Sequence, residues 1–304
     1  MSYRSPRRIH ERRFFYKYVS SHVAKMILAT RKLRWSSPLL FNDPFDVTQE
    51  LRLNFNSTEL NQAIVEEMIR IYEETDKLYA PAGIRQTLLA IMVDIARDKP
   101  GLRQRIVEDL RRNVDSTARQ IDALNELKRV WREYVPRMRV LCLSELNDNT
   151  AMWHHYADAY RGAVLEFEAV DQLDSAFLIA RPVTYQDTPP AIANKEVWAQ
   201  CMLERGTSTY KDLFTEYQYV KTTSWAYELE WRIVSAAADG ETGFFSDINF
   251  NPRELAGVYL GTQCSRDDEK EILALLSHGL EHVWAYRASV AGPAEAKFTF
   301  KRIR

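Results

Sequence analysis

Two carboxylates and an arginine alternate in the segment Tyr227–Arg232, which reads YELEWR. In an extended chain Glu228, Glu230 and Arg232 point to one face, because successive side chains of a strand alternate. Neighbouring carboxylates raise each other's pKa, which suits acid–base chemistry, and the arginine would hold one of them charged. The simpler alternative is a surface ion pair on an edge strand. Aromatic residues on both sides of the acids favour a functional site.

A second candidate is the run Trp153, His154, His155 and Tyr156. Adjacent histidines on a helix point about 100° apart, so both cannot enter one site. A metal site would need a further carboxylate or histidine nearby, and the spacing supplies none. The sequence therefore predicts no metal site here. The run is either part of a binding site or an aromatic packing cluster whose histidines bond to backbone groups.

A turn-rich loop and a lysine supply the remaining candidates. In Phe41–Asp46, which reads FNDPFD, the Asn-Asp-Pro sequence predicts an Asx-type turn. Asp43 and Asp46 could in addition bind a substrate or an arginine, so we treat them as secondary site residues. Lys17 lies among aromatic residues, and its side chain either extends outward or faces a polar cleft.

The familiar cofactor motifs are missing from this sequence. It contains no GxGxxG, GxxxxGK[ST], HExxH or GxSxG pattern and no kinase signature. With ten glycines in all, a loop that cradles phosphates is not expected. The 41 basic and 42 acidic side chains give a net charge of -1, which provides no field to attract nucleic acid or an anionic membrane.

Cysteine usage and the apolar pattern bear on the compartment. The three cysteines are far apart and odd in number, which fits neither a metal site nor a disulfide framework. No stretch approaches the roughly 20 apolar residues of a membrane helix, and no apolar run follows the charged N-terminus as in a secretory signal. The arginine-rich segment Met1–Arg13 is interpreted as a solvated leader. We therefore expect a cytoplasmic protein without membrane contact.

The elements that would position the candidate residues alternate between strand and helix patterns, which predicts an α+β fold. The first strand, Phe14–Val19, is aromatic and β-branched, and Lys17 lies in it. Further strands are predicted at Leu33–Ser36, Val140–Ser144, Ala163–Phe167, Pro182–Tyr185, Trp231–Ser235, Gly257–Leu260, His282–Tyr286 and Lys297–Arg302. Helices are predicted at Val23–Thr30, Thr150–Asp158, Lys195–Tyr217 and Arg266–Leu276, with Ser20, Ser21 and Thr150 as caps.

Residues 57–139 carry a different pattern, in which apolar residues recur at helical spacing. Pro81 and Pro100 divide this block into about three helices. No glycine- or serine-rich linker flanks it, so nothing marks it as a separate domain. We therefore predict a single domain, 1–304, with a helical insertion at 57–139 packed beside the sheet.

Six segments resemble, in their order, a large bacterial family catalogued as a domain of unknown function. They are FFYKYVS, LRWSSPLLFNDPFD, VLCLSE, MWHHYADAYRGAVLEF, WAYELEWRIV and GVYLG. They cover most of the chain outside the helical block. The family itself implies no reaction.

A more distant resemblance concerns the ADP-ribosyltransferase superfamily. The strand–helix–strand order at Phe15–Ser36, a later histidine–tyrosine pair and a late Glu-x-Glu that opens a strand are similar to that plan. The resemblance implies a mixed or antiparallel twisted sheet and NAD as co-substrate. It implies that Glu230 stabilises the positive charge on the ribose as nicotinamide leaves, that Glu228 orients or deprotonates the acceptor, and that Tyr156 braces the cofactor.

The same resemblance implies a set of cofactor-binding residues around these three. Here the first-strand Arg or His of the superfamily is a lysine, and the central Ser-Thr-Ser motif is missing. We expect Glu230 to be an exposed strand carboxylate whose neutralisation barely affects folding, and to face one cleft with Tyr156. The implied cofactor-binding residues are Lys17, Tyr18, Ser36, Trp153, His155 and Arg232.

Three functions are compatible with the sequence, and the resemblance implies the first of them. The first is an ADP-ribosyltransferase that acts on a macromolecule, protein or nucleic acid, as a toxin or anti-phage effector with an antitoxin as partner. The second is a non-catalytic sensor or interaction protein. The third is a metal-dependent nuclease with Asp43, Asp46, Glu228 and Glu230 as ligands, which the near-neutral charge disfavours. Nicotinamide release from NAD separates the first from the others.

Overall fold

The chain forms two compact units in the computed structural model. The sheet unit comprises Met1–Val47, Val135–Thr188 and Tyr219–Arg304, and the helical unit comprises Thr48–Tyr134 and Pro189–Gln218. All candidate site residues belong to the sheet unit. The structure describes residues 3–48, 50–74, 84–187, 193–205, 207–292 and 297–304, with the backbone alone for 84–88.

All strands within these described ranges belong to the sheet unit. They are β1 (Phe14–Val19), β2 (Lys32–Ser36), β3 (Met138–Ser144), β4 (Ala163–Glu168), β5 (Arg181–Pro182), β6 (Thr184–Gln186), β7 (Val220–Thr222), β8 (Glu230–Ala236), β9 (Phe245–Asn249), β10 (Leu255–Leu260), β11 (Trp284–Val290) and β12 (Phe298–Arg302).

The α-helices are divided between the two units. They are α1 (Ser21–Thr30), α2 (Ser57–Glu73), α3 (Ile84–Arg97), α4 (Pro100–Arg112), α5 (Val114–Ala118), α6 (Ala123–Tyr134), α7 (Thr150–His155), α8 (Lys195–Met202), α9 (Tyr210–Tyr217) and α10 (Arg266–Leu276). Of these, α1, α7 and α10 belong to the sheet unit.

One large sheet organises the sheet unit. Its strands follow the order β12-β11-β10-β4-β1-β3-β2-β9, and β8 pairs with β3 and with β5. Strands β10 and β11 are parallel, and the other pairs of this sheet in the described chain are antiparallel. A separate parallel pair joins β6 and β7. The prediction of an α+β chain with a mixed, mainly antiparallel sheet is confirmed.

The large sheet buries residues on both faces. On one face Phe15, Leu165 and Val258 pack with apolar residues of α1 and α10. On the other face Trp153 of α7 packs against Tyr18. Burying one large apolar side chain stabilises the fold by about 1.5–3 kcal/mol. The two cores therefore fix β1, β4 and α7, which carry several of the candidate residues.

Helix α7 ends earlier than its pattern predicts. It stops at His155 rather than Asp158, because Asp158, Ala159 and Tyr160 have φ angles of 48°, 47° and 69°. Left-handed backbone costs non-glycine residues roughly 1–2 kcal/mol each, so surrounding contacts must impose it. Gly162 shows how tight this turn is, since a Cβ there would lie 2.1 Å from the Val19 carbonyl oxygen.

Several other elements differ from their predictions. The predicted helix Lys195–Tyr217 is two helices, α8 and α9. The block 57–139 contains five helices among its described residues rather than about three, and Pro81 lies outside those residues. Strands β7 and β9 were not predicted, because β7 has three residues and β9 is polar and mostly exposed.

The interpretation of Met1–Arg13 as a solvated leader holds only in part: most of its described residues are exposed, but several contacts attach the segment to the sheet unit. Both Nε and Nη2 of Arg8 lie 2.9 Å from the carboxylate oxygens of Asp171. The backbone N–H of Ile9 donates to the carbonyl of Leu178 at 3.1 Å. This segment is therefore fastened to the sheet unit.

The helical unit has buried aromatic residues of its own. Trp131 of α6 lies 4.8 Å from the ring of Phe214 and 5.4 Å from that of Tyr217, both on α9. Trp198 of α8 lies 5.7 Å from Phe214. Helices α8 and α9 thus pack with α6, which belongs to the block 57–139. The single-domain prediction stays a prediction, which limited proteolysis can test. In the described part of the chain, no helix is long and apolar enough to cross a membrane.

Candidate functional site

A cavity of about 190 Å³ lies within the sheet unit. Its walls come from β1, β2, β3, β7 and β8, from the loop after β2, and from the end of α7. Most candidate residues, drawn from distant parts of the sequence, line this one space. The candidates that line it are Lys17, Tyr18, Ser36, Asp43, Asp46, Tyr156, Glu228, Glu230 and Arg232.

The two glutamates reach the cavity through a break in the extended chain. Glu228 is the last residue of a short 3-10 helix, Thr223–Glu228, and Glu230 is the first residue of β8. Leu229 between them has a φ of 44°, and its N–H donates to the carbonyl of Ala226 at 3.2 Å. The predicted extended geometry is therefore wrong, although both carboxylates face the same cavity.

Lys221 lies between three carboxylates. Its Nζ, on β7, is 2.6 Å from Glu228 Oε2 and 3.3 Å from Glu230 Oε2. The distance from Nζ to Asp46 Oδ2 is 3.8 Å. Nζ also lies 4.6 Å from the ring centroid of Trp225. Burial opposes the charge, but the carboxylates outweigh it and raise the pKa of Lys221, so the ammonium stays protonated.

Arg232 holds the other side of these carboxylates and is fully buried. Its Nε and Nη2 lie 2.8 and 2.9 Å from the two oxygens of Glu230. Its Nη1 lies 3.0 Å from Asp46 Oδ1, and Nη2 contacts the other oxygen of Asp46. Paired bonds of this kind are stronger and more specific than single ones. Arg232 therefore fastens the loop after β2 to β8.

These five residues, Asp46, Lys221, Glu228, Glu230 and Arg232, form a buried ion cluster. When all three carboxylates are ionised, the three carboxylates and two cations have a net charge of -1, and no side chain in the cluster is more than 6% exposed. Burial opposes ionisation of Glu230, but Arg232 and Lys221 outweigh it and lower its pKa to about 2. Burial raises the pKa of Glu228, which Lys221 opposes only in part.

The burial of this cluster corrects two expectations. Strand β8 lies between β3 and β5, so Glu230 and Arg232 are not a surface ion pair on an edge strand. Glu230 is 5% exposed, so it is not the exposed carboxylate that we expected. Its contribution to folding must therefore be larger than that of a surface charge.

Tyr156 connects α7 to the ion cluster. Its hydroxyl donates to Glu228 Oε1 at 2.6 Å. Asn149, rather than the predicted Thr150, caps α7, and its side-chain amide also donates to the carbonyl of Tyr227. Burial and the charge of Glu228 raise the pKa of Tyr156, so its phenol keeps the proton. Helix α7 thus presents a fixed hydrogen-bond donor to Glu228.

The cavity also contains residues that lie outside the cluster. Lys17 Nζ donates to the carbonyl of Cys142 at 2.8 Å, and no described carboxylate pairs with it. Since an ammonium has three donors, Lys17 can bind an anionic group as well. Tyr18 is 5% exposed and donates to the carbonyl of Leu146. Asp43 accepts from the N–H of Phe45, as an Asx turn requires.

Two candidates are not brought into the cavity. Trp153 is fully buried in the core under α7, where its indole N–H donates to the carbonyl of Asn147 at 2.8 Å. His155 is exposed, and its ring lies 6.3 Å from that of Tyr227. Trp153 therefore belongs to an aromatic packing cluster, which was the alternative to a binding site. Their expected role as cofactor-binding residues is not supported by this geometry.

Sequence reasoning missed Lys221 and Tyr185. The hydroxyl of Tyr185 accepts the N–H of Glu230 at 2.8 Å and so fixes the start of β8. Lys221 lies seven positions before Glu228, but a lone lysine in a three-residue strand carries no pattern. The only available signal was its closeness in sequence to the two acids.

Four carboxylates line the cavity, as the nuclease hypothesis requires. Their oxygens are largely engaged, however, because Lys221 and Arg232 bind those of Asp46, Glu228 and Glu230. Among the residues that the structure describes, no group of three His, Cys, Asp or Glu side chains is arranged to hold a metal ion.

Comparison with known proteins gives one match. A family model described as "Protein of unknown function (DUF2971)" matches residues 152–233. This segment contains Tyr156 and four of the five residues of the ion cluster, while Asp46 lies outside it. No curated protein and no solved structure matches the chain.

Proposed function

We propose that this chain is an NAD-dependent ADP-ribosyltransferase that modifies a macromolecule, as a toxin or anti-phage effector controlled by an antitoxin would. One observation carries the proposal: the ion cluster places a net negative charge at the cavity wall. A preorganised charge stabilises an opposite charge that develops beside it in a transition state. NAD as co-substrate supplies a ribose that becomes positively charged as its bond to nicotinamide breaks.

The cavity suits one end of NAD rather than the whole molecule. Its volume of about 190 Å³ is below the roughly 300–1,000 Å³ of sites that enclose an entire ligand. Tyr16, Phe41 and Tyr156 line it and offer aromatic surface for a flat ring. Lys17 has donors for a phosphate group, because its one hydrogen bond among the described residues goes to a carbonyl.

The two glutamates would serve different roles because their surroundings differ. Arg232 and Lys221 keep Glu230 ionised, so it supplies a fixed negative charge. The pKa of Glu228 is raised, and its two carboxylate oxygens accept hydrogen bonds from the Tyr156 hydroxyl and the Lys221 ammonium. It would take the proton of the acceptor as that group attacks, while nicotinamide leaves with the electron pair of the broken bond. Tyr156 would keep Glu228 in position.

Nicotinamide release tests this function directly. Purified chain is mixed with NAD, with and without cell extract, and free nicotinamide is measured. We expect release by the wild type and a roughly hundred- to thousandfold loss in Glu230→Gln. Glu168→Gln is a matched control, because Glu168 lies on β4 and does not line the cavity. A wild-type chain that neither binds NAD in calorimetry nor releases nicotinamide refutes the proposal.

One observation favours a second candidate, a non-catalytic ligand sensor. Glu230 binds Arg232 through both carboxylate oxygens, as a purely structural ion pair does. A sensor of this kind binds its ligand without consuming it. Saturable NAD binding with no nicotinamide release in cell extract would select this candidate over the first.

A further inference from the structure

A half-buried carboxylate lies on the sheet face beside the cavity. Glu166 of β4 is paired with Tyr16 of β1 on one side and with Gly257 of β10 on the other. The hydroxyl of Tyr16 donates to Oε1 at 3.3 Å, and that of Tyr259 donates to Oε2 at 2.9 Å. Tyr16 lines the cavity and Glu166 does not, so the carboxylate is a direct neighbour of that site.

Glu166 makes no direct contact with a cation among the residues with described side chains. Its hydrogen bonds come from two phenols, and no ion pair reaches it. Burial raises the pKa of Glu166, and the two phenol hydrogen bonds and the charge of Arg13 only partly oppose this. A half-buried carboxylate with neutral donors alone is less stabilised than one that also contacts a cation. The environment of Glu166 thus favours the arrival of a positive group.

Aromatic rings surround this carboxylate. The ring of Tyr259 stacks on Tyr286 with centroids 4.8 Å apart and planes at 10°. Phe300 meets Tyr259 edge-on at 5.0 Å, and Tyr16 does so at 6.3 Å. Tyr259 is buried, whereas Tyr16, Tyr286 and Phe300 are partly exposed. Ring faces attract cations, and a carboxylate beside them adds a charge-assisted hydrogen bond.

The space for Glu166 depends on a specific residue of the neighbouring strand. A Cβ on Gly257 would lie 2.6 Å from Glu166 Oε2, which is closer than atoms can pack. Only glycine at this position of β10 lets the carboxylate lie against the sheet under the tyrosine hydroxyls. Strand, glycine and tyrosines together hold one carboxylate in one orientation, as a binding site requires.

We propose that Glu166, Tyr16, Tyr259 and Tyr286 form a subsite for an organic cation, either a guanidinium or an ammonium group. The carboxylate accepts hydrogen bonds from the cation, and the partly exposed rings contact its face. The same chemistry is present in a basic side chain of a bound protein and in a small organic cation. This subsite does not depend on NAD or on the proposed reaction, and it is tested without either.

Calorimetric titration of the whole chain tests the subsite. The probes are methylguanidinium chloride, methylammonium chloride and a short neutral-ended peptide with one arginine, with sodium chloride as the control salt. We expect saturable binding that Glu166→Gln weakens about tenfold or more and Tyr286→Leu weakens about two- to fivefold. Glu168→Gln is the matched control, because Glu168 lies on the same strand but already pairs with Arg13 at 2.8 Å. It should leave binding unchanged.

Each outcome of the titrations either supports or overturns the proposed subsite. No saturable binding of any probe by the wild type overturns the proposal, and so does an equal loss in Glu166→Gln and Glu168→Gln. Tighter binding of the peptide than of methylguanidinium assigns the subsite to a protein side chain, and the reverse order, or a preference for methylammonium, assigns it to a small cation. If Glu166→Gln fails to fold, Tyr286→Leu at its partly exposed position decides, since undiminished binding there contradicts the proposed site.

Discussion

Replacing Glu230 by glutamine separates two roles, ion-pair partner and source of negative charge. Glu230 is 5% exposed and binds Arg232 through both oxygens. The substitution keeps the shape and removes one charge, which changes the ion cluster from a net charge of -1 to neutrality. Arg232 keeps Asp46 and Lys221 keeps Glu228, so neither cation loses its last carboxylate.

The expected effect on stability follows from these contacts. A hydrogen bond to a charged group contributes about 1.5–3 kcal/mol, and glutamine keeps one acceptor for Arg232. We therefore expect Glu230→Gln to lower the free energy of unfolding by about 2–3 kcal/mol, or the melting temperature by roughly 4–12 °C. Arg232→Met leaves three carboxylates with one cation and should cost more, about 3–5 kcal/mol.

Thermal unfolding and nicotinamide release are measured on the same Glu230→Gln preparation at a temperature where it is folded. We expect both the stability loss and a roughly hundred- to thousandfold lower rate, with Glu168→Gln close to wild type in both. Unchanged stability together with unchanged turnover would refute the reasoning altogether. Lower stability with normal turnover would leave Glu230 a structural role only.

Three further predictions concern pH, the bridging lysine and a glycine. The folded-state pKa of Glu230 is about 2 against an ordinary 4.5, so its charge contributes stability that is complete above pH 4.5 and is lost as the pH falls toward 2. The free energy of unfolding, measured between pH 5 and 2, should therefore depend less on pH in Glu230→Gln than in the wild type. Equal slopes in the two proteins would contradict this. The charge of Lys221 lowers the pKa of Glu228. Lys221→Met should therefore move the acid limb of the pH–rate profile for nicotinamide release to higher pH, whereas Lys221→Arg should leave it in place. An acid limb that does not move in Lys221→Met argues against Glu228 as the base. Gly162→Ala places a Cβ 2.1 Å from a carbonyl oxygen of β1 and should lower the free energy of unfolding by about 1–3 kcal/mol. Gly101→Ala, in helix α4 with open space around it, should raise the free energy of unfolding by roughly 0.5–1 kcal/mol. Thermal unfolding compares the two variants, and equal shifts in melting temperature would contradict the steric argument.

The sequence predicted those parts of the fold that local pattern controls. Strand β1 and helix α10 have the predicted bounds because the aromatic run FFYKYV and the helical spacing of Arg266–Leu276 are local signals. The left-handed turn after α7 was invisible, because Asp158, Ala159 and Tyr160 carry no glycine signal for positive φ. The role of Arg8 was missed because its partner, Asp171, is 163 positions away.

The candidate site was also predicted in part, where the local sequence carries a signal. Tyr156, Glu228 and Glu230 were singled out because aromatic and ionisable residues are dense around them, and the structure brings them to one cavity. Their burial was not predicted, since it depends on strands β3 and β5 that flank β8. Lys221 was missed because its three partners are defined by tertiary structure rather than by spacing.

The ion cluster joins residues that leave the ribosome at very different times. Lys221 and Arg232 are only 11 positions apart, whereas Asp46 precedes Arg232 by 186 positions. Closing the longer loop costs about 2.5 kcal/mol more chain entropy than closing the shorter one, so the late members pair at a lower entropic cost than Asp46 does. At about 5–20 residues per second, Asp46 is made roughly 10–40 s before Arg232. The loop after β2 therefore spends that interval without the cation that holds it, and the cavity is completed only when the strand that carries Arg232 has been made.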